Sequence, residues 1–228
     1  MEMIRAILFD CNGIIADDEP IHMRLFQKVL KEEGVILTKE QYFKKYLAMD
    51  DKACFREALK SAGKKPAKSY VRALIQRKAK YYKSVIGKEL KIFSGVQWFV
   101  KHHQGRYPMV VVSGALRHEI KLILKRGKID RYFKGIVSSE DVKNGKPDAE
   151  CYKKGFAILK RLPAFRKKPL KAGECVAIED SIHGVDSAHA AGMKCVAVTN
   201  SYPRAKLAHA DLVVKSLKGL RIEKSLLS

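Results

Sequence analysis

The chain has 228 residues, 46% of them hydrophobic and 31% charged, and its 46 lysines and arginines against 24 acids leave a formal charge of +22. That is apolar material for one large domain or two modest ones, and it excludes wholesale disorder. No apolar stretch approaches the ~20 residues of a membrane span, and Glu2, Arg5 and Asp10 interrupt the start where a secretory leader needs an unbroken apolar run.

In chain order, the first short apolar run is Ile4–Phe9, ending at Asp10. From Asp18 to about Ile92 helical periodicity takes over, with no strand expected. Ile21, Leu25, Val29 and Leu30 share one face, and Thr38 with Gln41 predicts a capping box. Asp50 or Asp51 caps a helix over Lys52–Lys60, and Gly63–Pro66 breaks the chain before a long basic helix. The apolar stripe of that helix runs through Val71, Leu74, Ile75, Lys78, Tyr82 and Val85. Further runs at Met109–Val112, Gly135–Val137, Cys175–Ile178, Cys195–Val198 and Leu212–Val214 alternate with helical patterns at Leu116–Lys125, Ala149–Leu159 and Val185–Ala191. Continuous apolar strands separated by helices predict an α/β protein with a Rossmann-like parallel sheet covered on both faces. The expected domains are a core from residues 1–16 and 93–228 and a helical insertion, a cap, at 17–92.

Five scattered cysteines without a CxxC pair argue against disulfides or a zinc site and fit reduced thiols in the cytoplasm. Two stretches carry much of the charge: residues 60–91 hold eleven basic residues and one acid, Glu89, and residues 152–171 hold eight and no acid. Such charge attracts phosphorylated metabolites or nucleic acid, or is simply a solvated surface. The surface reading is preferred, because apolar helical spacing runs through the first stretch and turns its lysines to the other face.

In open parallel sheets ligands bind beyond the carboxyl ends of the strands. Asp10 follows AILF, Ser113 follows MVVV, Lys146 lies in the loop NGKPD, and Glu179 with Asp180 closes CVAI. Gathered at one sheet edge, three carboxylates repel one another. A hard divalent cation such as Mg²⁺ resolves the repulsion, and beside a lysine and a serine it makes a phosphate-binding arrangement.

The run Asp10-Cys11-Asn12-Gly13-Ile14-Ile15-Ala16-Asp17 resembles the first motif of the haloacid dehalogenase-like superfamily. Ser113-Gly114, Gly145–Asp148, and Glu179-Asp180-Ser181 with Gly184 resemble its second, third and fourth motifs in order. The helical insertion is similar to the cap of the phosphoglycolate phosphatase and β-phosphoglucomutase branch. The resemblance implies a phosphohydrolase of a small phosphorylated metabolite, with Asp10 as nucleophile forming an aspartyl-phosphate. Mg²⁺ would be held by Asp10, the backbone carbonyl of Asn12 and Asp180, with Glu179 ordering one of its waters. Ser113 and the amide of Gly114 would bind phosphoryl oxygens, and Lys146 would bridge them to Asp10. The chain departs from the pattern at Asn12, where phosphatases and mutases of the family carry the aspartate that serves as general acid and base.

Asp17 and His22 match positions near the cap hinge, and His22 is a candidate to orient Asn12 or supply a proton. The other histidines, 102, 103, 118, 183, 189 and 209, read as surface residues, Trp98 as helix packing and Cys11 as core. Two alternatives follow from Asn12. One is a phosphonatase-like hydrolase using a cap lysine, for which Lys52 stands at a matching distance from Asp10. The other is a non-catalytic module that binds phosphometabolites or nucleic acid. Neither the substrate nor the oligomeric state is legible in the sequence.

Overall fold

The computed structural model describes residues 3–47 and 49–225. They divide into two compact units, Met1–Asp17 with Lys91–Ser228, and Asp18–Leu90.

The first unit is built on strands β1 (Ala6–Phe9), β4 (Met109–Val112), β5 (Phe133–Val137), β6 (Cys175–Glu179), β7 (Lys194–Val198) and β8 (Leu212–Val214), with a two-residue ribbon formed by β2 (Ala16–Asp17) and β3 (Lys91–Ile92). The six-stranded sheet has the order β5-β4-β1-β6-β7-β8, with every pair parallel. All four side chains of β1 are buried, as are all of β4 and β6. This explains their unbroken apolar runs: strands covered on both faces have no solvent side on which polar residues could alternate. Ile7 pairs with Met109 on one side and Val176 on the other, so the chain switches direction across β1. Such a switch point opens a crevice beyond the carboxyl ends of β1, β4 and β6.

Helices α5 (Val96–His103), α6 (Arg117–Arg126), α7 (Glu150–Lys160) and α8 (Ile182–Ala190) cross between strands, and a short α9 (Ile222–Ser225) ends the described chain. Leu8, Val110, Val112, Tyr152, Leu159, Ala177 and Val185 belong to the core that joins α7 and α8 to the sheet.

The second unit is helical: α1 (Glu19–Glu32), a short α2 (Lys39–Gln41) continued by a π-turn, α3 (Asp51–Ser61) and α4 (Lys68–Glu89). The predicted capping box forms, with the Gln41 amide donating to Thr38 Oγ1 over 3.1 Å and the Thr38 amide to Gln41 Oε1 over 3.0 Å. Of the two cap candidates Asp50 takes the position, accepting from the Ala53 amide at 2.7 Å. Phe26, Val29, Leu30, Phe55, Leu59 and Leu74 form the unit's core.

Three readings need correction. The ribbon, in which Ala16 pairs with Ile92 and Asp17 with Lys91, belongs to the first unit, whereas Asp17, Lys91 and Ile92 were expected in the insertion. Two-residue strands carry no periodicity from which to read them. Trp98 is not packed inward but is 38% exposed, its ring stacked on His102 at 4.7 Å. His103 is not a surface residue: it is 1% exposed, with Nδ1 2.8 Å from the carbonyl oxygen of Phe99. Both corrections share a cause. The buried face of α5 is Val96, Phe99, Val100 and His103, and steps of three and four residues exclude Trp98 and include His103. The remaining five of those histidines are exposed, and Cys11 is buried.

Candidate active site

Asp10 stands immediately after β1, its amide donating to the carbonyl oxygen of Ile178 over 3.0 Å. Beyond it the chain turns sharply: the Ile15 amide returns to the Cys11 carbonyl at 2.7 Å and the Gly13 amide to the Ala16 carbonyl at 2.9 Å. Gly13 sits at φ +76°, and a Cβ there would lie 1.9 Å from Asp180 Oδ2. Only glycine suits both that backbone and that approach.

β6 supplies the next two acids. Asp10, Glu179 and Asp180 are all buried, and one carboxylate oxygen from each falls within 4.8 Å of the others; among the described residues this is the single such acidic or metal-ligating group. Lys146, in the loop after β5, donates to Asp10 Oδ1 at 2.7 Å, to Glu179 Oε1 at 2.5 Å and to the carbonyl oxygen of Val112 at 3.3 Å. Ser113, at the end of β4, donates from Oγ to Asn12 Oδ1 at 3.3 Å and accepts the amide of Ala115 at 3.2 Å. Gly114 beside it is exposed, with open space where a Cβ would stand. Thus Asp10, Asn12, Ser113, Gly114, Lys146, Glu179 and Asp180 come together at the switch point, drawn from four separate segments between Asp10 and Asp180.

Sequence reasoning missed three neighbours. The Tyr152 hydroxyl donates to Glu179 Oε1 at 2.7 Å, and Lys146 Nζ lies 5.3 Å over its ring. Ser201 donates to Asp180 Oδ2, and Asn200 Nδ2 to the carbonyl oxygen of Gly13 at 2.6 Å. Tyr152 carried a signal: a phenol on the buried face of a helix needs a partner for its hydroxyl. The loop Asn200–Ser201 carried none.

The electrostatics follow from burial. Desolvation is the largest influence on Asp10; Lys146 offsets part of it, Glu179 adds to it, and the carboxyl is pushed up to about 7. Burial, then the charges of Asp10 and Glu179, hold Asp180 well above the carboxylate range. Lys146 moves the other way: burial alone would lower it, but the paired acids outweigh burial and keep it charged. Burial and the acid charges likewise keep the Tyr152 phenol protonated, a standing donor to Glu179. One ammonium therefore faces three carboxylates. The donors are all oxygen, the carboxyls outnumber the ammonium three to one, and glycine at position 13 lets the Asp180 carboxyl pack against the turn. Such a set fits a hard divalent cation such as Mg²⁺. Glu179 already accepts from Lys146, Tyr152, the Asp180 amide at 3.2 Å and Ser181 at 3.4 Å, so its lone pairs are engaged by the protein. A Cβ on Gly184 would lie 2.0 Å from its carboxyl carbon.

His22 lies in the helical unit. Its Nε2 is 3.0 Å from Asp18 Oδ2, its Nδ1 is 2.7 Å from Lys78 Nζ, and its ring stacks on Tyr82 at 4.9 Å. With Lys78 donating to Nδ1, the proton sits on Nε2 and points to Asp18. Both nitrogens have partners inside this unit. Lys52 is exposed on α3. A Schiff-base lysine is activated by desolvation or a neighbouring cation, and exposure denies Lys52 the first.

Comparison with known proteins places the chain by family. A model described as haloacid dehalogenase-like hydrolase matches residues 7–198. The chain belongs to the haloacid dehalogenase-like hydrolases. It is 28% identical over 217 residues to the chloroplastic 5-amino-6-(5-phospho-D-ribitylamino)uracil phosphatase of Arabidopsis thaliana, an alignment that takes in 94% of this chain and 55% of that protein. The chain thus spans about half the length of that relative. It is 26% identical to the fructose-1-phosphate phosphatase YqaB of Escherichia coli, over 86% of this chain and 97% of that one. Among solved structures, β-phosphoglucomutase from Clostridium difficile superposes with a TM-score of 0.83 at 23% identity, covering 97% of this chain and 95% of that chain. That similarity establishes the α/β fold. No helix among the described residues is long and apolar enough to cross a membrane.

Proposed function

We propose that the protein is a Mg²⁺-dependent phosphohydrolase acting on a small phosphorylated metabolite with a good leaving group, such as an acyl or aryl phosphate. The observation that carries this reading is Lys146 held 2.7 Å from Asp10 and 2.5 Å from Glu179, with Asp180 adjoining, beyond the ends of β1 and β6. Asp10, Asp180 and the backbone carbonyl of Asn12 would hold the cation, which when bound neutralises charge on the phosphoryl oxygens. The Asp10 carboxylate attacks phosphorus, the bond to the leaving oxygen breaks, and an aspartyl-phosphate forms. Lys146 holds Asp10 in line and balances its charge, while Ser113 and the Gly114 amide orient the phosphoryl group. Water then attacks the aspartyl-phosphate, releasing phosphate and restoring Asp10.

In both steps the proton must come from or go to solvent or substrate, because an amide at position 12 neither gives nor takes one. The reaction is therefore confined to substrates whose leaving oxygen is stable as an anion. The phosphonatase-like and non-catalytic alternatives have less support: Lys52 is exposed, and a module without catalysis has no use for Lys146 wedged between Asp10 and Glu179. The test is a screen of phosphorylated metabolites with and without Mg²⁺, using an aryl phosphate as control and Asp10→Asn as blank. Turnover that needs both Mg²⁺ and Asp10 supports the proposal, and turnover persisting in Asp10→Asn overturns it.

A further inference from the structure

We propose that the end of the sheet opposite the candidate active site is a docking surface for the phosphate backbone of duplex nucleic acid. Because the strands are parallel, α7 returns from their carboxyl ends to their amino ends. Lys160 closes that helix, and residues 161–174 lie at the amino-terminal edge of the sheet before β6. This loop is pinned. Phe165 and Leu170 are buried in the core, and Arg5, just ahead of β1, donates to the carbonyl oxygens of Lys168 at 2.9 Å and Pro169 at 3.2 Å. The Arg5 guanidinium also lies 5.0 Å over the Phe165 ring and pairs with Glu174 at 2.9 Å.

A fixed backbone therefore presents Arg161, Arg166, Lys167, Lys168 and Lys171, all exposed. The segment 152–171 contains no acid. Arg161, Arg166, Lys167 and Lys168 form no ion pair among the described residues. Arg131 and Lys134 are also exposed, ahead of and within β5, and Lys194 opens β7, which carries the positive strip across the same edge. Acids there are few: Asp130 is exposed, Glu174 is taken by Arg5, and Asp211 is taken by His189 at 2.9 Å. The negative end of the α7 dipole accounts for one or two of the cations. It does not account for Arg166, Lys167 and Lys168 held side by side on a pinned loop, where an anion that spans them would relieve their mutual repulsion.

The neighbouring side chains identify the anion. Tyr152 and Phe165 are buried, and Phe156 is half-buried against the core with Lys160 Nζ 5.5 Å over its ring, so no fully exposed aromatic ring in the segment offers a stacking platform for single-stranded bases. Among the described residues the exposed large apolar side chains are Met3, Ile36, Phe43, Tyr70 and Trp98, none of them in the segment 152–171, which therefore has none to insert into a lipid surface. A row of arginine and lysine heads without bases to read fits a duplex backbone, bound without regard to sequence.

The experiment is fluorescence anisotropy of a labelled random-sequence duplex in a salt titration. The unaltered protein is expected to bind with log K falling linearly against log salt. Arg166→Gln/Lys167→Gln/Lys168→Gln should weaken binding by about 10-fold or more and flatten the slope by about 2.7, three phosphate contacts being lost. The single variants, each flattening the slope by about 0.9, give the same reading should the triple variant fail to fold. Arg72→Gln/Lys80→Gln/Lys83→Gln removes equal charge from exposed positions of α4 and should have less than about a third of the effect. Equal losses in the two triple variants, no binding by the unaltered protein, or tighter binding to vesicles of anionic phospholipid than to the duplex each overturn the proposal.

Discussion

In the proposed reaction Asn12, whose side-chain oxygen accepts from Ser113, stands where the resemblance implies an acid–base aspartate, and an amide cannot exchange a proton. Asn12→Asp is expected to raise turnover of alkyl phosphates by about 100-fold or more, since alkoxide leaving groups most need protonation. Aryl phosphates should gain less, and steady-state rates on both substrates measure the difference. Equal gains on the two would place the defect in water attack alone. Tyr152 gives a second expectation. Tyr152→Phe keeps the ring beneath Lys146 but removes the donor to Glu179. Outer donors of this kind tune metal affinity by about 10-fold or more, so the Mg²⁺ concentration for half-saturation should rise accordingly, and loss of the buried donor should lower stability by about 1–2 kcal/mol. The positions of Asp10, Ser113 and Glu179 with Asp180 were legible because they are the first polar residues after apolar runs, and strand order gathers such residues. Tyr152 and Ser201 were not, because a helix face and an irregular loop have no such marker.

At the scale of elements, the helical unit is organised around a buried ammonium. Lys78 is fully buried in α4, 2.5 Å from Asp51 Oδ1, 2.7 Å from His22 Nδ1 and 4.3 Å over the Phe26 ring; the Tyr82 hydroxyl meets Asp18 Oδ2 at 2.7 Å. The stripe through Val71, Leu74 and Tyr82 put Lys78 on the inward face of its helix from periodicity alone. Its partner was hidden, because Asp51 belongs to α3 and reads in sequence only as a cap residue. Removing one member of a buried pair strands the other. Lys78→Met should therefore cost about 3 kcal/mol in urea unfolding, whereas Lys78→Met with Asp51→Leu should cost less than the sum of its parts. Strict additivity would show that the pair is not coupled. α5 teaches the same lesson: a histidine joins the core and a tryptophan leaves it because spacing of three and four residues outranks residue type.

At the scale of the molecule, the proposed cation site leads to the expectation that stability depends on pH and on Mg²⁺ together. The Asp10 carboxyl rises from an ordinary 3.8 to about 7 in the folded chain, chiefly through burial. A carboxyl raised on folding favours the folded state while it is protonated. That contribution is complete below the unfolded value near 3.8 and is lost as pH climbs through about 7. Without divalent cations, the unit carrying the sheet should therefore become less stable across that window, because Asp10 gives up its proton more readily in the unfolded chain than when buried in the cluster. Mg²⁺ competes with protons for the same oxygens. Its stabilising increment should be small near pH 5 and grow through pH 7, reaching about 2.7 kcal/mol when the ion stands at 100 times its dissociation constant. Thermal unfolding with and without Mg²⁺ at a series of pH values measures the increment directly. With two compact units, the scan should be fitted without assuming a single transition, and the increment should fall on the unit that holds β1 and β6. Asp180→Ala removes one of the three carboxylates and should abolish the Mg²⁺ increment. It should also ease the loss of stability at neutral pH in the absence of the ion, since one source of repulsion is gone. An increment that is flat with pH, or that survives in Asp180→Ala, would mean that Mg²⁺ binds elsewhere on the chain.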